Sequence, residues 1–185
     1  MGEVILYIAT SLDGYIADEE GGVGWLERYE AGDDDYGYAA LLERVGTAIM
    51  GGRTYRQVLG FGPWPYATLT TYVVTRQSLA DPPAPSIRSF RGDVRELVAR
   101  IRANSDRDVW LVGGADLVSQ FVNRHLIDEY ILFVMPLLLG RGIRLFRDLR
   151  SPTPLELERA VSYASGVVEL CYRPAAGAAS SQTLR

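Results

Sequence analysis

The chain has 185 residues, 48% of them hydrophobic, enough for one buried core and the size of a single domain. A formal charge of −4 and a pI near 5.1 exclude nucleic acid or an anionic membrane surface as the main partner. One cysteine (Cys171) and one histidine (His125) exclude a disulfide framework, a cysteine-rich metal site and the zinc-deaminase signature, so the expectation is a metal-free protein in a reducing, cytoplasmic setting.

The first element in chain order is "VILYIA" (4–9), a continuous apolar run expected to form a strand buried on both faces. No basic region precedes it, which argues against a signal peptide. "SLDGYIADEEGGVGW" (11–25) is rich in glycine and acid and is expected to be a long irregular loop; such loops are functional or disordered. After "GDDDYG", a short helical pattern runs through Tyr38, Leu41, Leu42 and Val45. "TAIMGG" (47–52) reads as a second buried strand, "RTYRQVL" as a helix start, and "TTYVVTR" (70–76) as a third strand. Three prolines make "DPPAPS" (81–86) a loop, and "IRSF" a short strand after it.

Residues 93–104 carry the clearest helical signal, with Val94, Leu97, Val98 and Ile101 at i, i+3, i+4 and i+7 behind an Asp93-x-x-Glu96 start. "DVWLV" is the next strand, and Leu117, Val118, Phe121 and Val122 mark the helix after it. In "DEYILFVMPLLLG" the internal Pro136 suggests a bulge or an edge position. Its apolar run "YILFVMPLLL" is too short to span a bilayer. Segments 155–164 and 167–173, parted by Ser165-Gly166, read as an antiparallel hairpin. Residues 174–185 lack periodicity and are expected to be a flexible tail after one domain of residues 1–173. This order predicts an α/β fold with a mostly parallel sheet, flanking helices and a C-terminal antiparallel hairpin.

Two strands end in glycine pairs, Gly51-Gly52 and Gly113-Gly114. Ligands of open α/β sheets sit at the carboxyl ends of strands. A glycine there removes the Cβ that would hold a phosphate away from a helix N-terminus. Each pair is either such a cradle or simply a tight strand-to-helix turn. Neither G-x-G-x-x-G nor a P-loop is present, so a bound dinucleotide requires another geometry.

"LYIATSLDGYIAD", "IMGGRTY", "YVVTR", "WLVGGADLVSQFV" and "LIDEYILFVMPLLLGRGIRLF" stand in the order seen in the dihydrofolate reductase-like superfamily. Over residues 3–173 the chain most resembles the reductase domain of the riboflavin-biosynthesis deaminase-reductase and its stand-alone relatives. The resemblance implies NADPH as hydride donor. Gly113, Gly114, Ala115, Asp116, Leu117 and Val118 would surround its pyrophosphate, and Gly52, Arg53 and Thr54 would meet it at the second glycine turn. Thr75 and Arg76 would lie near the 2′-phosphate, a group that a guanidinium can bind in bidentate fashion. The chain departs from the folate enzymes in placing Gly52 first and Arg53 one place later.

By the same resemblance, the 11–25 loop is the lid over the nicotinamide, with Ala9, Ile16 and Gly21 beside its ribose. Folate reductases carry a proton-donating carboxylate on the helix before the "IMG" strand, and counting back without gaps from Met50 gives Asp35. Asp13 and Asp34 are its rivals, and "DDDYGY" is equally a helix N-cap. Gly140, Arg141 and Gly142 either approach a phosphorylated substrate or form a strand-end turn, with the turn favoured. Trp64 either walls the substrate pocket or packs a proline-rich turn.

The expected function is an NADPH-dependent reductase of a small pterin-like, ribosylaminopyrimidine-like or carbonyl substrate. The alternative is a non-catalytic nucleotide- or flavin-binding protein on the same fold. The resemblance suggests a homodimer, and the apolar "YILFVMPLLL" is either part of such an interface or core.

Overall fold

The computed structural model describes residues 1–30 and 34–176, the side chain of Glu30 excepted. Its centre is β1 (Val4–Ser11), the "VILYIA" run, whose alternate side chains enter two different cores. Val4, Leu6 and Ile8 pack on one face of the sheet, and Ile5, Tyr7 and Ala9 on the other. β1 lies between two parallel neighbours, β6 (Asp108–Gly113) and β7 (Glu129–Met135). The eight-stranded sheet continues outward from β6 through β3 (Val45–Gly51), β4 (Thr70–Val74) and β5 (Ile87–Phe90), all parallel. On the other side, β10 (Val168–Pro174) pairs antiparallel with β7 and carries β9 (Leu155–Ser162) at the edge.

Helices cover both faces, as a mostly parallel sheet requires. α4 (Val94–Asn104) and α5 (Ala115–Val122) bury Leu97, Val98, Ile101, Leu117, Val118 and Phe121 against one face. Asp93 caps α4 by accepting from the Arg95 N–H at 2.9 Å. The opposite face receives α1 (Glu27–Glu30) and α2 (Tyr38–Arg44) through Tyr29 and Leu41, and α3 (Gly52–Gly60) through Tyr55.

Several expectations are corrected. The helical pattern through Val45 stops at Arg44, because the buried Val45 begins β3. Pro136 lies neither in a bulge nor on an edge: β7 is an interior strand and ends at Met135, the last residue before a position with no N–H to donate. The 11–25 loop contains β2 (Tyr15–Ala17), which pairs with β8 (Ile143–Arg144) far along the chain. Periodicity cannot show a three-residue strand whose partner is so remote. Residues 174 and 175, expected to open the tail, are held in the fold, since Pro174 closes β10 and the Ala175 N–H donates to Pro154 O. Residues 177–185 lie outside the described part.

Candidate active site

A cleft of about 420 Å³ opens at the carboxyl ends of β1, β3, β4 and β6. Two helix N-termini face it. α3 starts at Gly52 directly after β3, and α5 starts at Ala115 directly after β6. Their first amides have no intrahelical acceptor and present a partial positive charge. The two turns nearly touch: a Cβ on Gly114 would stand 3.2 Å from Thr54 Oγ1. Gly113 has φ +119, a conformation that side chains rarely tolerate, and the Gly113–Gly114 peptide is cis.

The walls differ in chemistry. The α3–α5 wall brings in Arg53, Arg56 and Arg147. Arg147 is ion-paired with Asp116, and Ser119 Oγ holds the Arg147 carbonyl at 2.6 Å. The wall from β1, β2, β6, β8, the lid and Leu26 just after it is apolar: Ala9, Ile16, Ala17, Val23, Leu26, Val112 and Ile143. The lid is pinned at two points and closed on itself between them. Gln57 Nε2 donates to Gly21 O at 2.8 Å, while within the lid the Gly22 N–H donates to Asp18 Oδ1 at 2.6 Å. Asp13 accepts from Ser11 Oγ (2.6 Å), Leu139 N (3.1 Å) and Gly140 N (2.7 Å). These donors, the Ser11 hydroxyl foremost, lower the Asp13 pKa to about 2.

Of the residues named from sequence, Ala9, Ile16, Gly21, Gly52, Arg53, Thr54, Gly114, Ala115, Asp116 and Leu117 line the cleft. Gly113 is buried one residue behind. Val118 does not reach the cleft: it is fully buried in the α4–α5 core, and its N–H bonds to Gly114 O at 3.0 Å. Thr75 and Arg76 stand beside the cleft rather than in its lining. Thr75 Oγ1 accepts from Gln77 N at 3.1 Å, and Arg76 is exposed with its carbonyl bonded to Arg91.

Asp35 is corrected. It is exposed, and its carboxylate accepts from the N–H groups of Gly37 (2.9 Å) and Ala39 (3.0 Å) at the start of α2. The Ala39 amide first, then that of Gly37, holds its pKa below the usual carboxylate range, the opposite of what a proton donor at neutral pH needs. Asp13 is held ionised in the same way, and Asp34 is exposed outside the cleft. The 140–142 segment is the turn that was favoured, with the Arg141 side chain 83% exposed. Trp64 packs edge-on between Tyr55 and Tyr66.

Sequence reading missed Arg56, Gln57 and Arg147. The first two lie three and four residues after Arg53 on the same helix, so the 3.6-residue period alone would have found them. Arg147 comes from an irregular segment after β8, and nothing local marks it.

The fold and the glycine-floored cleft define an α/β protein of the dihydrofolate reductase-like class. Residues 3–169 match the model of the RibD C-terminal domain, and the chain belongs to that family. It is 38% identical to the Bacillus subtilis (strain 168) protein YwjB, described as uncharacterized, over 89% of this chain and 94% of that one. A putative riboflavin biosynthesis protein of Shewanella sp. PV-4 superposes with a TM-score of 0.84 at 29% identity, covering 94% of this chain and 99% of the other. The Thermotoga maritima diaminohydroxyphosphoribosylaminopyrimidine deaminase/5-amino-6-(5-phosphoribosylamino)uracil reductase shares the fold at a TM-score of 0.68 and 18% identity, over 94% of this chain and 57% of that one.

Proposed function

We propose that this chain is an NADPH-dependent reductase that delivers a hydride to a small heterocyclic or carbonyl substrate in the cytoplasm. The observation that carries this reading is the pairing of two helix N-termini across a floor with no side chain at Gly52 and Gly114, next to three arginines. A dinucleotide pyrophosphate fits that cradle by charge and by clearance. Gly114, Ala115 and Asp116 would hold it through their backbone, and Arg53, Arg56 and Arg147 through their guanidinium groups. When bound, NADPH supplies the hydride. The chain's own part is to seat the nicotinamide ring against Ala9, Ile16 and Val112 and to keep water out with the lid that Gln57 fastens.

A second reading, a nucleotide-binding protein without catalysis, draws support from the proton. Among the residues lining the cleft the one carboxylate is Asp116, on the cationic wall and paired to Arg147. As a reductase, the chain therefore takes its proton from water. Titration with NADPH and NADH, followed by nicotinamide fluorescence, tests binding; Gly114→Val abolishes it and Arg56→Ala weakens it. Arg76→Ala reports separately on the rim position expected to meet the 2′-phosphate. Failure of both nucleotides to bind refutes the proposal, and binding without turnover of any pterin, pyrimidine or quinone selects the second reading.

A further inference from the structure

Beside the cleft-lining Ala9 and Val112, the same sheet face continues into an aromatic cluster just outside the cleft's lining. In a strand, residues two apart share a face, so Tyr7 stands beside Ala9 on β1 and Trp110 beside Val112 on β6. Tyr38 from α2 and Tyr66 from the loop before β4 close on the same spot. The Tyr66–Trp110 ring centroids are 5.2 Å apart, Tyr38–Trp110 5.8 Å and Tyr7–Trp110 6.2 Å, all near edge-to-face. The three tyrosines are half-buried. The same layer holds two buried indole N–H groups, of Trp25 and Trp64, with no acceptor among the described residues.

The charges nearby are acidic or already committed. Asp35 caps α2 close to Tyr7: burial first, then Asp35, raises the Tyr7 hydroxyl pKa. Arg159 is held by the buried Glu169, and Arg28 lies over the Tyr29 ring, 5.1 Å from its centroid. Arg144 lies over Tyr15 on the far side of the lid. The cations that line the cleft are all on the α3–α5 wall.

We propose that the ring this cleft takes beside the nicotinamide is planar, uncharged and free of phosphate, and that it stacks on the panel of half-buried Tyr7, Tyr38 and Tyr66, which the buried Trp110 backs. The proposal rests on the reductase reading and narrows it away from the phosphoribosylamino substrate in the name of the Thermotoga maritima protein. Aromatic edges and faces hold a neutral ring without a counter-charge, and ring carbonyl or nitrogen atoms are acceptors of the kind the two indoles lack. A phosphate here would face Asp35 and Glu169, with no free guanidinium beside the panel among the described residues.

The test uses a matched pair, 5-amino-6-(5-phosphoribosylamino)uracil and its dephosphorylated ribosylamino counterpart, with 6-methylpterin as a third probe. Each is titrated into NADP⁺-saturated protein and followed by tryptophan quenching. The dephosphorylated compound and the pterin bind, and the phosphorylated one binds at least about tenfold more weakly, as repulsion without a paired cation dictates. Tyr66→Leu raises the dissociation constant of the neutral rings about tenfold, whereas Tyr66→Phe, which keeps the ring, does not. Equal or tighter binding of the phosphorylated member overturns the proposal, as does absence of quenching by either neutral ring. Should Tyr66→Leu not fold, the matched pair on the natural protein decides alone. NADPH binding is measured beforehand. Its absence removes the reductase reading, and the pair is then titrated into the protein without nucleotide, where it still answers the phosphate question.

Discussion

The two glycines of the β6–α5 turn have different physical duties, and single methyl groups separate them. At Gly113 an added Cβ meets only Ile8 Cδ1 at 3.5 Å, ordinary van der Waals contact, but the backbone sits at φ +119. Forcing an L-residue into such a region costs about 1–3 kcal/mol. At Gly114 the backbone is ordinary, with φ −75 and ψ −174, and the nearest atom is the Thr54 hydroxyl at 3.2 Å, which needs to give by a few tenths of an ångström. Gly113→Ala therefore loses about 1–3 kcal/mol of stability, or about 2–12 °C in melting temperature for a domain of this size. Gly114→Ala leaves the melting temperature within about 2 °C, because its methyl group meets only a rotatable hydroxyl, but that methyl rises from the cleft floor and weakens NADPH. Urea unfolding and nicotinamide fluorescence on the two variants and the parent measure both quantities. Equal loss of stability in the two variants refutes the division of labour. So does a Gly114→Ala protein that binds nucleotide as tightly as the parent.

Asp13→Ala releases the lid from residues 139–140. Because the folded Asp13 pKa is lowered to about 2, its stabilisation is fully present above the ordinary carboxylate value near 4 and disappears as pH falls towards 2. Acid unfolding curves of variant and parent should thus converge over that interval, and a gap that persists at pH 2 contradicts the assignment. Asp116→Asn frees Arg147 for the pyrophosphate and tightens NADPH about two- to fivefold, the scale of an exposed ion pair; weaker binding would show that the Asp116 carboxylate holds Arg147 in place. Glu129 is 6% exposed and accepts from Arg44 Nη2 at 2.9 Å, so Glu129→Ala costs about 1–3 kcal/mol in urea unfolding while nucleotide binding at the opposite end of the sheet is unchanged. The edge strand β9 exposes Leu157, and Phe146 and Leu149 flank a groove beside it. A homodimer through this edge predicts sedimentation at twice the 20.5 kDa chain mass, reduced to the monomer by Leu157→Glu.

The strands were readable because a parallel sheet buries both faces, which writes "VILYIA" of β1 and "YILFVM" of β7 as apolar runs and leaves "AIM" at the centre of β3. α4 was readable from its 3.6-residue period. The glycine turns were visible as pairs at strand ends, and their neighbours followed from the family resemblance. Asp35 failed because counting along the chain carries no information about direction: the same carboxylate that would protonate a substrate can turn to its own helix and cap it. The run "YILFVMPLLL" is mostly core, since Tyr130, Ile131, Phe133 and Met135 are buried in the sheet, while Leu138 beyond the strand end is exposed. Arg147 and the β2–β8 pair were invisible because both join segments more than a hundred residues apart, or an irregular segment to a helix, with no period to mark them.

The strand order β5-β4-β3-β6-β1-β7 also governs the sequence of events during synthesis. β1 is made first, yet its two neighbours are the strands at 108–113 and 129–135, so for more than half of translation an apolar segment has no sheet to join. β3, β4 and β5 can pair among themselves, but they have no contact with β1 until β6 inserts between them. Ala9 and Val112, in the apolar wall of the cleft, come together in that same insertion. A nascent chain shorter than about residue 113 therefore has nothing for a ligand to bind and an unpaired strand for other chains to capture, which makes β6 the commitment step of folding and the point at which ligand can begin to help.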